Sequence, residues 1–208
     1  LTATTNAGYT WLGWYDRETL ACETEEFTFK AEKDVTYTAT WSANKDTKYT
    51  VNYYLQNLDD NNYTLREAVE LKGETDTPTA KVDIKEYTHF TYNANESVVS
   101  GNINGDGGQV LSVYYTRDKY VISTARNNTK AGTVTAGGTY KFDKQITLTA
   151  TTNAGYTFLG WYEGDTKICD ALTFIFNVEK NVTYTAKWSP NTDTAYIVEY
   201  YLENVEKN

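Results

Sequence analysis

Residues 1–15, LTATTNAGYTWLGWY, return at 148–162 as LTATTNAGYTFLGWY, an offset of 147 that then holds without a gap to the last residue. Cys22 falls on Cys169, and Phe27 and Phe29 fall on Phe174 and Phe176. The run VTYTATW ending at Trp41 falls on VTYTAKW ending at Trp188, and Tyr53-Tyr54-Leu55 on Tyr200-Tyr201-Leu202. About 60% of the aligned positions are identical, which marks duplication of one composite unit rather than convergent strand patterning. Solenoid repeats run to roughly 20–50 residues. An offset of 147 is instead the length of two small domains, so beads on a string are expected, not stacked coils.

Punctuation divides the composite unit into two kinds of module. Strand-like runs at 120–124, 146–152, 158–162, 172–178 and 182–188 are separated by the turns Asn127-Asn128, Gly137-Gly138 and Asn153-Ala154-Gly155. In the last run Val182, Tyr184, Ala186 and Trp188 alternate with Thr183, Thr185 and Lys187, one face for a core and one for water. The other kind of module spans 49–118. There Tyr49, Val51, Tyr53 and Leu55 alternate with Thr50, Asn52, Tyr54 and Gln56, Asp59-Asp60-Asn61-Asn62 turns the chain into 63–71, and 110–116 is the closing strand. After Pro78, residues 80–87 have weak helical spacing, and a short helix or turn is expected in this middle module. The composition agrees with strand elsewhere: 35 Thr, 19 Tyr, 7 Phe and 5 Trp suit pleated, half-buried surfaces. A hydrophobic content of 40% is too high for a disordered chain, while a mean hydropathy of -0.61 implies a thin core. The expected order is a partial module at 1–48 that lacks its first strands, the 49–118 module, a complete module at 119–190, and at 191–208 the first strand of a further 49–118-type module. The linkers 42–48 and 189–195 are polar and short.

Charge and residue types exclude most chemistry. With a net charge of -9 and 19 Lys and Arg scattered singly, no basic stripe could release counterions from a phosphate backbone, so nucleic acid is not a partner. No run of some 18 apolar residues exists to insert in a membrane; the absence of a starting Met and of a basic-then-apolar leader makes the chain read as cut from a longer one. The segment Asn102-Ile103-Asn104-Gly105-Asp106-Gly107 fits the start of a calcium loop, but Val113 occupies the twelfth position, where a bidentate carboxylate is needed; a tight turn is expected. His89, the one histidine, has no Ser or Cys neighbour that suggests a triad. Glu25-Glu26 and Asp59-Asp60 are adjacent pairs, which a strand points to opposite faces, so they read as solvated charges. Cys22 and Cys169 hold the same place in two copies with a module between them, too far apart for a disulfide, and each reads as a small free core residue. Neither catalysis nor any metal or other cofactor is expected. The four tryptophans Trp14, Trp41, Trp161 and Trp188 read as structural anchors of the core.

The segment G-Y-T-[WF]-x-G-W-Y at 8–15 and 155–162, followed by V-T-Y-T-A-x-W, resembles the divergent internalin-type B-repeat, also called the Listeria-Bacteroides repeat. The likeness covers 120–188 in full and 1–41 in part. The intervening YTVNYYLQNLD and VLSVYYTR resemble a mucin-binding-protein (MucBP) module, with a departure at Thr88-His89-Phe90, where a Gly-Tyr or Gly-Phe step is usual. The resemblance implies β-grasp-like modules in extracellular, wall-attached surface proteins of Gram-positive bacteria, where such modules form stalks and adhesive arms.

Three functions are expected from different classes. The leading one is a stalk or spacer that projects a distal head, on the strength of near-identical copies joined by short linkers. A second is an adhesin module that binds host glycans or mucin; Tyr54, Tyr115 and Tyr201 are taken to face away from the core and to stack on sugar rings. A third is an accessory region of a larger secreted enzyme. The strand at 196–202, with no sheet of its own, is further expected to extend the sheet of residues 1–41 in a neighbouring chain, giving head-to-tail self-association.

Overall fold

The computed structural model describes residues 1–203 and divides into two compact units, Leu1–Asp118 and Lys119–Asn208. Among the described residues the chain is all β, with no helix. In the first unit β1 (Tyr9–Asp16), β2 (Thr19–Cys22) and β3 (Tyr37–Ala43) form a three-stranded antiparallel sheet in the order β2-β1-β3. Next, β4 (Thr47–Gln56), β5 (Tyr63–Gly73), β6 (Phe90–Tyr92) and β7 (Val110–Arg117) form a four-stranded sheet in the order β5-β4-β7-β6. Its two middle strands, β4 and β7, run parallel, while the outer pairings are antiparallel. The period-2 pattern read from the sequence is the physical cause. Tyr49, Val51 and Tyr53 of β4 and Leu111, Val113 and Tyr115 of β7 all point inward and form the core with Val82 and Ile103.

The expected helix at 80–87 is not present. The segment is extended: Val82 is buried in the sheet's core, and the Asp83 carbonyl accepts the Tyr53 hydroxyl at 2.9 Å. Eight residues make a helix of marginal stability on their own. Burying Val82, about 1.5–3 kcal/mol for a side chain of this size, and bonding Asp83 to the sheet both favour the extended path. Spacing alone cannot register either effect.

The second unit contains β8 (Lys119–Arg126), β9 (Gly132–Val134), β10 (Gly138–Lys141), β11 (Gln145–Thr152), β12 (Tyr156–Glu163), β13 (Thr166–Cys169), β14 (Thr173–Asn177) and β15 (Val182–Pro190). Five of them form a mixed sheet, β10-β8-β15-β12-β13, with β8 and β15 parallel at its centre; the other three form the sheet β14-β11-β9. Ile122, Leu148, Ala150, Trp161, Val178, Tyr184, Ala186 and Trp188 are buried together, drawn from both sheets.

The sequence repeat is also a repeat of register. Trp11, Gly13 and Trp14 of β1 pair with Trp41, Thr40 and Ala39 of β3, and Phe158, Gly160 and Trp161 of β12 pair with Trp188, Lys187 and Ala186 of β15, with the bulge at the same place. Gly13 and Gly160 hold φ of 128° and 130° there, a conformation that L side chains rarely adopt. The copies differ in what covers them. β15 carries β8 along its second edge, whereas the corresponding edge of β3 has no strand partner among the described residues. The β11–β14 ladder survives in the first copy as the single bridge Thr2↔Glu26. Leu1 is accordingly 53% exposed where Leu148 is 1%.

Candidate functional site

The outer face of the four-stranded sheet gathers three tyrosines. β4 and β7 are in parallel register with Tyr54 opposite Tyr114, and their rings stack at 4.9 Å with 18° between planes. Tyr63 of β5 meets Tyr114 edge-on, also at 4.9 Å. Each ring is half-buried, so one side of the cluster remains open to water. Two amides border it. Asn52 donates through Nδ2 to the Tyr54 hydroxyl at 3.2 Å, and Asn93 donates to the Tyr63 hydroxyl at 3.2 Å and to Thr116 Oγ1 at 3.3 Å. Flat aromatic rings bordered by amides and hydroxyls can stack on the apolar face of a sugar while hydrogen-bonding its hydroxyls.

Of the three tyrosines expected on such a face, only Tyr54 lies in it. Tyr115 is 1% exposed and belongs to the core of the same sheet, so its assignment to the outer face is corrected. In β7 the inward set is Leu111, Val113 and Tyr115, and alternation places Tyr114 outward; the double Tyr-Tyr step conceals which of the two continues the apolar phase. Read against Leu111 and Val113, the period would have found Tyr114. Tyr63 could not be found this way, because it reaches the cluster through strand pairing. Burial pushes the Tyr115 hydroxyl up to about 12, reinforced by the charges of Tyr87, Tyr53 and Asp83. That hydroxyl has no hydrogen-bond partner in good geometry; the nearby Lys85 amide only weakly opposes the shift. Tyr201 belongs to the other unit, is 85% exposed, lies in no strand, and bonds through its hydroxyl to Glu199.

On the core side of the sheet, Glu67 and Lys85 form an ion pair at 2.7 Å, and the Lys85 ammonium sits 4.6 Å from the centroid of the Tyr53 ring. The Lys85 hydrogen bond lowers the Glu67 carboxyl, and the same bond raises Lys85. Glu67 also accepts the Tyr87 hydroxyl at 3.3 Å. These groups tie the extended 80–87 segment to β5.

The tryptophans keep matched bonds in both copies. Trp14 and Trp161 donate to the carbonyls of Glu25 and Leu172 at 3.2 and 3.4 Å, and Trp41 and Trp188 donate to Thr5 and Thr152 Oγ1, each at 2.9 Å. Trp14, Trp161 and Trp188 are buried, whereas Trp41 is half-buried beside a cleft of about 310 Å³ lined also by Thr4, Asn6, Tyr9 and Asp76. In the second copy β9 fills the equivalent place: a Cβ on Gly132 would lie 2.9 Å from the Trp188 ring and would collide with the Thr151 carbonyl. The Trp41 cleft is therefore the space of a strand rather than of a ligand.

The calcium-like segment is a turn. Asn104 accepts the Gly107 amide at 2.9 Å, and Asp106 Oδ1 accepts the Gly108 amide at 2.8 Å. Among the described residues no three of His, Cys, Asp and Glu converge on one point. His89 lies in the turn before β6, where its carbonyl accepts the Asp118 amide at 2.9 Å. Both cysteines are free, and each thiol lies against its own turn, Cys22 near the Thr24 and Glu26 carbonyls and Cys169 near those of Ala171 and Thr173.

That turn instead makes a joint inside the first unit. Gly8 and Gly105 approach so closely that a Cβ on Gly8 would collide with the Gly105 backbone, and one on Gly105 with the Ala7 carbonyl. Around them Asn44 donates to the Gly8 carbonyl at 2.8 Å, Thr75 donates its amide to Asn44 at 2.9 Å, Asp76 donates to Ile103 at 2.9 Å, and the Tyr9 hydroxyl bonds Asp76. The buried hydroxyls of Thr47 and Thr75 pair at 2.8 Å. The three-stranded and four-stranded sheets are held together by this set.

No curated protein matches the chain. The family described as divergent InlB B-repeat domain matches residues 1–45 and 122–192, together more than half of the sequence, and the two matched stretches include the sheet β2-β1-β3 and the neighbouring strands β13-β12-β15 of the five-stranded sheet, which share register residue for residue. The chain belongs to the divergent InlB B-repeat family, a repeat domain of bacterial surface proteins.

Proposed function

We propose that this chain is a non-catalytic stalk or spacer, extracellular and attached to the wall of a Gram-positive cell, that projects an adhesive or other head. The observation that carries this reading is the joint at Gly8, Asn44, Thr75, Asp76 and Gly105, because a spacer needs successive modules that do not swing freely. The same reading takes 49–118 as MucBP-like and both module kinds as β-grasp-like, supported by the parallel central pairs β4–β7 and β8–β15, although neither kind carries a helix among the described residues. Backbone NMR relaxation tests the proposal. Residues 1–45 and 49–118 are expected to report one rotational correlation time, and separate tumbling of the two would reject a rigid spacer.

The stacked pair Tyr54–Tyr114 with Tyr63 favours a second reading, a glycan- or mucin-binding adhesin. Binding on a glycan array that is lost in Tyr54→Ala and Tyr114→Ala would support it; an array blank for the unaltered chain would leave the spacer role alone.

A further inference from the structure

The second unit carries half of the joint found in the first. Gly155 repeats Gly8 with φ of 82° against 83°, and Asn191 repeats Asn44, donating to the Gly155 carbonyl at 2.8 Å just as Asn44 does to Gly8. Thr157 bonds Asn191 Oδ1 at 2.7 Å as Thr10 bonds Asn44 at 2.6 Å. Tyr156 stands where Tyr9 stands, and Thr194 where Thr47 stands. What differs is the other side. A Cβ on Gly8 would collide with Gly105, whereas a Cβ on Gly155 would meet only Thr194 Oγ1, at 3.7 Å. Thr47 is buried against Thr75, but Thr194 is exposed. Beyond it, Tyr196, Val198 and Tyr200 repeat the core residues Tyr49, Val51 and Tyr53, yet they are exposed.

We infer that Gly155, Tyr156, Asn191 and Thr194 form a docking face for one kind of partner: a module of the 49–118 type that presents a Thr-Asp turn like Thr75-Asp76 and a glycine like Gly105. The glycine seats on Gly155, the partner's threonine amide donates to the Asn191 carbonyl, its aspartate accepts the Tyr156 hydroxyl, and its threonine hydroxyl pairs with Thr194. Positive φ alone accounts for a glycine at 155. It does not account for a tyrosine and a threonine at the two positions whose side chains reach across the joint in the first unit. The inference rests on the spacer reading, but its test is read at the Asn191 face alone, whereas the spacer reading is tested at the separate joint within residues 1–118.

The experiment uses the chain of residues 1–202 extended by a second copy of residues 56–118, with the appended part isotopically labelled. The appended Thr75 amide is expected to exchange with solvent about tenfold more slowly than in the version with the appended Gly105→Ala, the scale of one hydrogen bond's net contribution. Tyr156→Phe, which lies outside the appended module and leaves its folding untouched, is expected to speed that exchange in the extended chain and to leave the stability of the second unit in the 208-residue chain unchanged. Equal exchange of the appended Thr75 amide with and without the Tyr156 hydroxyl, in a module whose Val113 amide shows that it is folded, overturns the proposal.

Discussion

At the scale of single residues, Tyr115 and Trp161 mark opposite ends of what burial does. The Tyr115 hydroxyl is enclosed with no hydrogen-bond partner in good geometry, and a buried donor left unpaired costs roughly 1–3 kcal/mol. Tyr115→Phe keeps the ring and removes that cost, so we expect stability to rise by up to about 1 kcal/mol in a denaturant titration. The same burial sets a pH dependence. The hydroxyl goes from an ordinary value of 10.0 up to about 12, so the folded state holds the proton more tightly than the unfolded chain. Its contribution is complete below pH 10.0 and is lost as pH rises toward about 12. Alkaline unfolding of the middle sheet is expected in that window, with tyrosinate absorbance from Tyr115 appearing together with the loss of sheet signal; absorbance that precedes unfolding would contradict it. Trp161 is fully buried, and Trp161→Ala should cost about 3–5 kcal/mol. Trp41→Ala should cost less, because Trp41 is only half-buried, and a comparison of the two by chemical denaturation checks the difference.

At the scale of elements, the β12 bulge and the β13 turn separate two reasons for glycine. Gly160 sits at φ of 130° with a Cβ position 2.6 Å from the Cys169 carbonyl, so both conformation and space oppose a side chain. Gly164 has φ of 57° and nothing within 4 Å. Gly160→Ala is therefore expected to destabilise the second unit by about 3 kcal/mol or more, and Gly164→Ala by about 1–2 kcal/mol. Equal melting shifts for the two would remove the packing argument. The extended 80–87 segment illustrates the same competition, since Val82 and Asp83 are recruited by the sheet before a short helix could gain anything from its own hydrogen bonds.

At the scale of the molecule, the free edge of β3 and the segment 196–202 are complementary by their chemistry. Tyr196, Ile197, Tyr200, Tyr201 and Leu202 are each more than 80% exposed in a segment that alternates like a strand, and the outer edge of β3 pairs with no strand among the described residues. We expect concentration-dependent head-to-tail association of the 208-residue chain. Light scattering beside a version ending at residue 195 checks it, and equal monomer content in the two would reject strand addition. Residues 204–208 of the terminal 191–208 stretch lie outside the described residues.

The sequence by itself determined the repeat, the all-strand character of both matched stretches, the burial of Trp14 and Trp161, and the turn at 102–107. Each follows from local periodicity or from self-comparison, which need no knowledge of what lies opposite. Tertiary structure alone decided that 80–87 is extended, that Tyr63 joins Tyr54 and Tyr114, and that Gly8 meets Gly105. In each case the outcome depends on a partner distant in the chain: Tyr53 reaching Asp83, β5 beside β4, one turn seated on another. Pairing and close packing between remote segments leave no mark on the residues of either segment alone, and so the burial of Trp188 against the half-burial of Trp41, in two nearly identical local sequences, is decided by whether β9 is there to cover the ring.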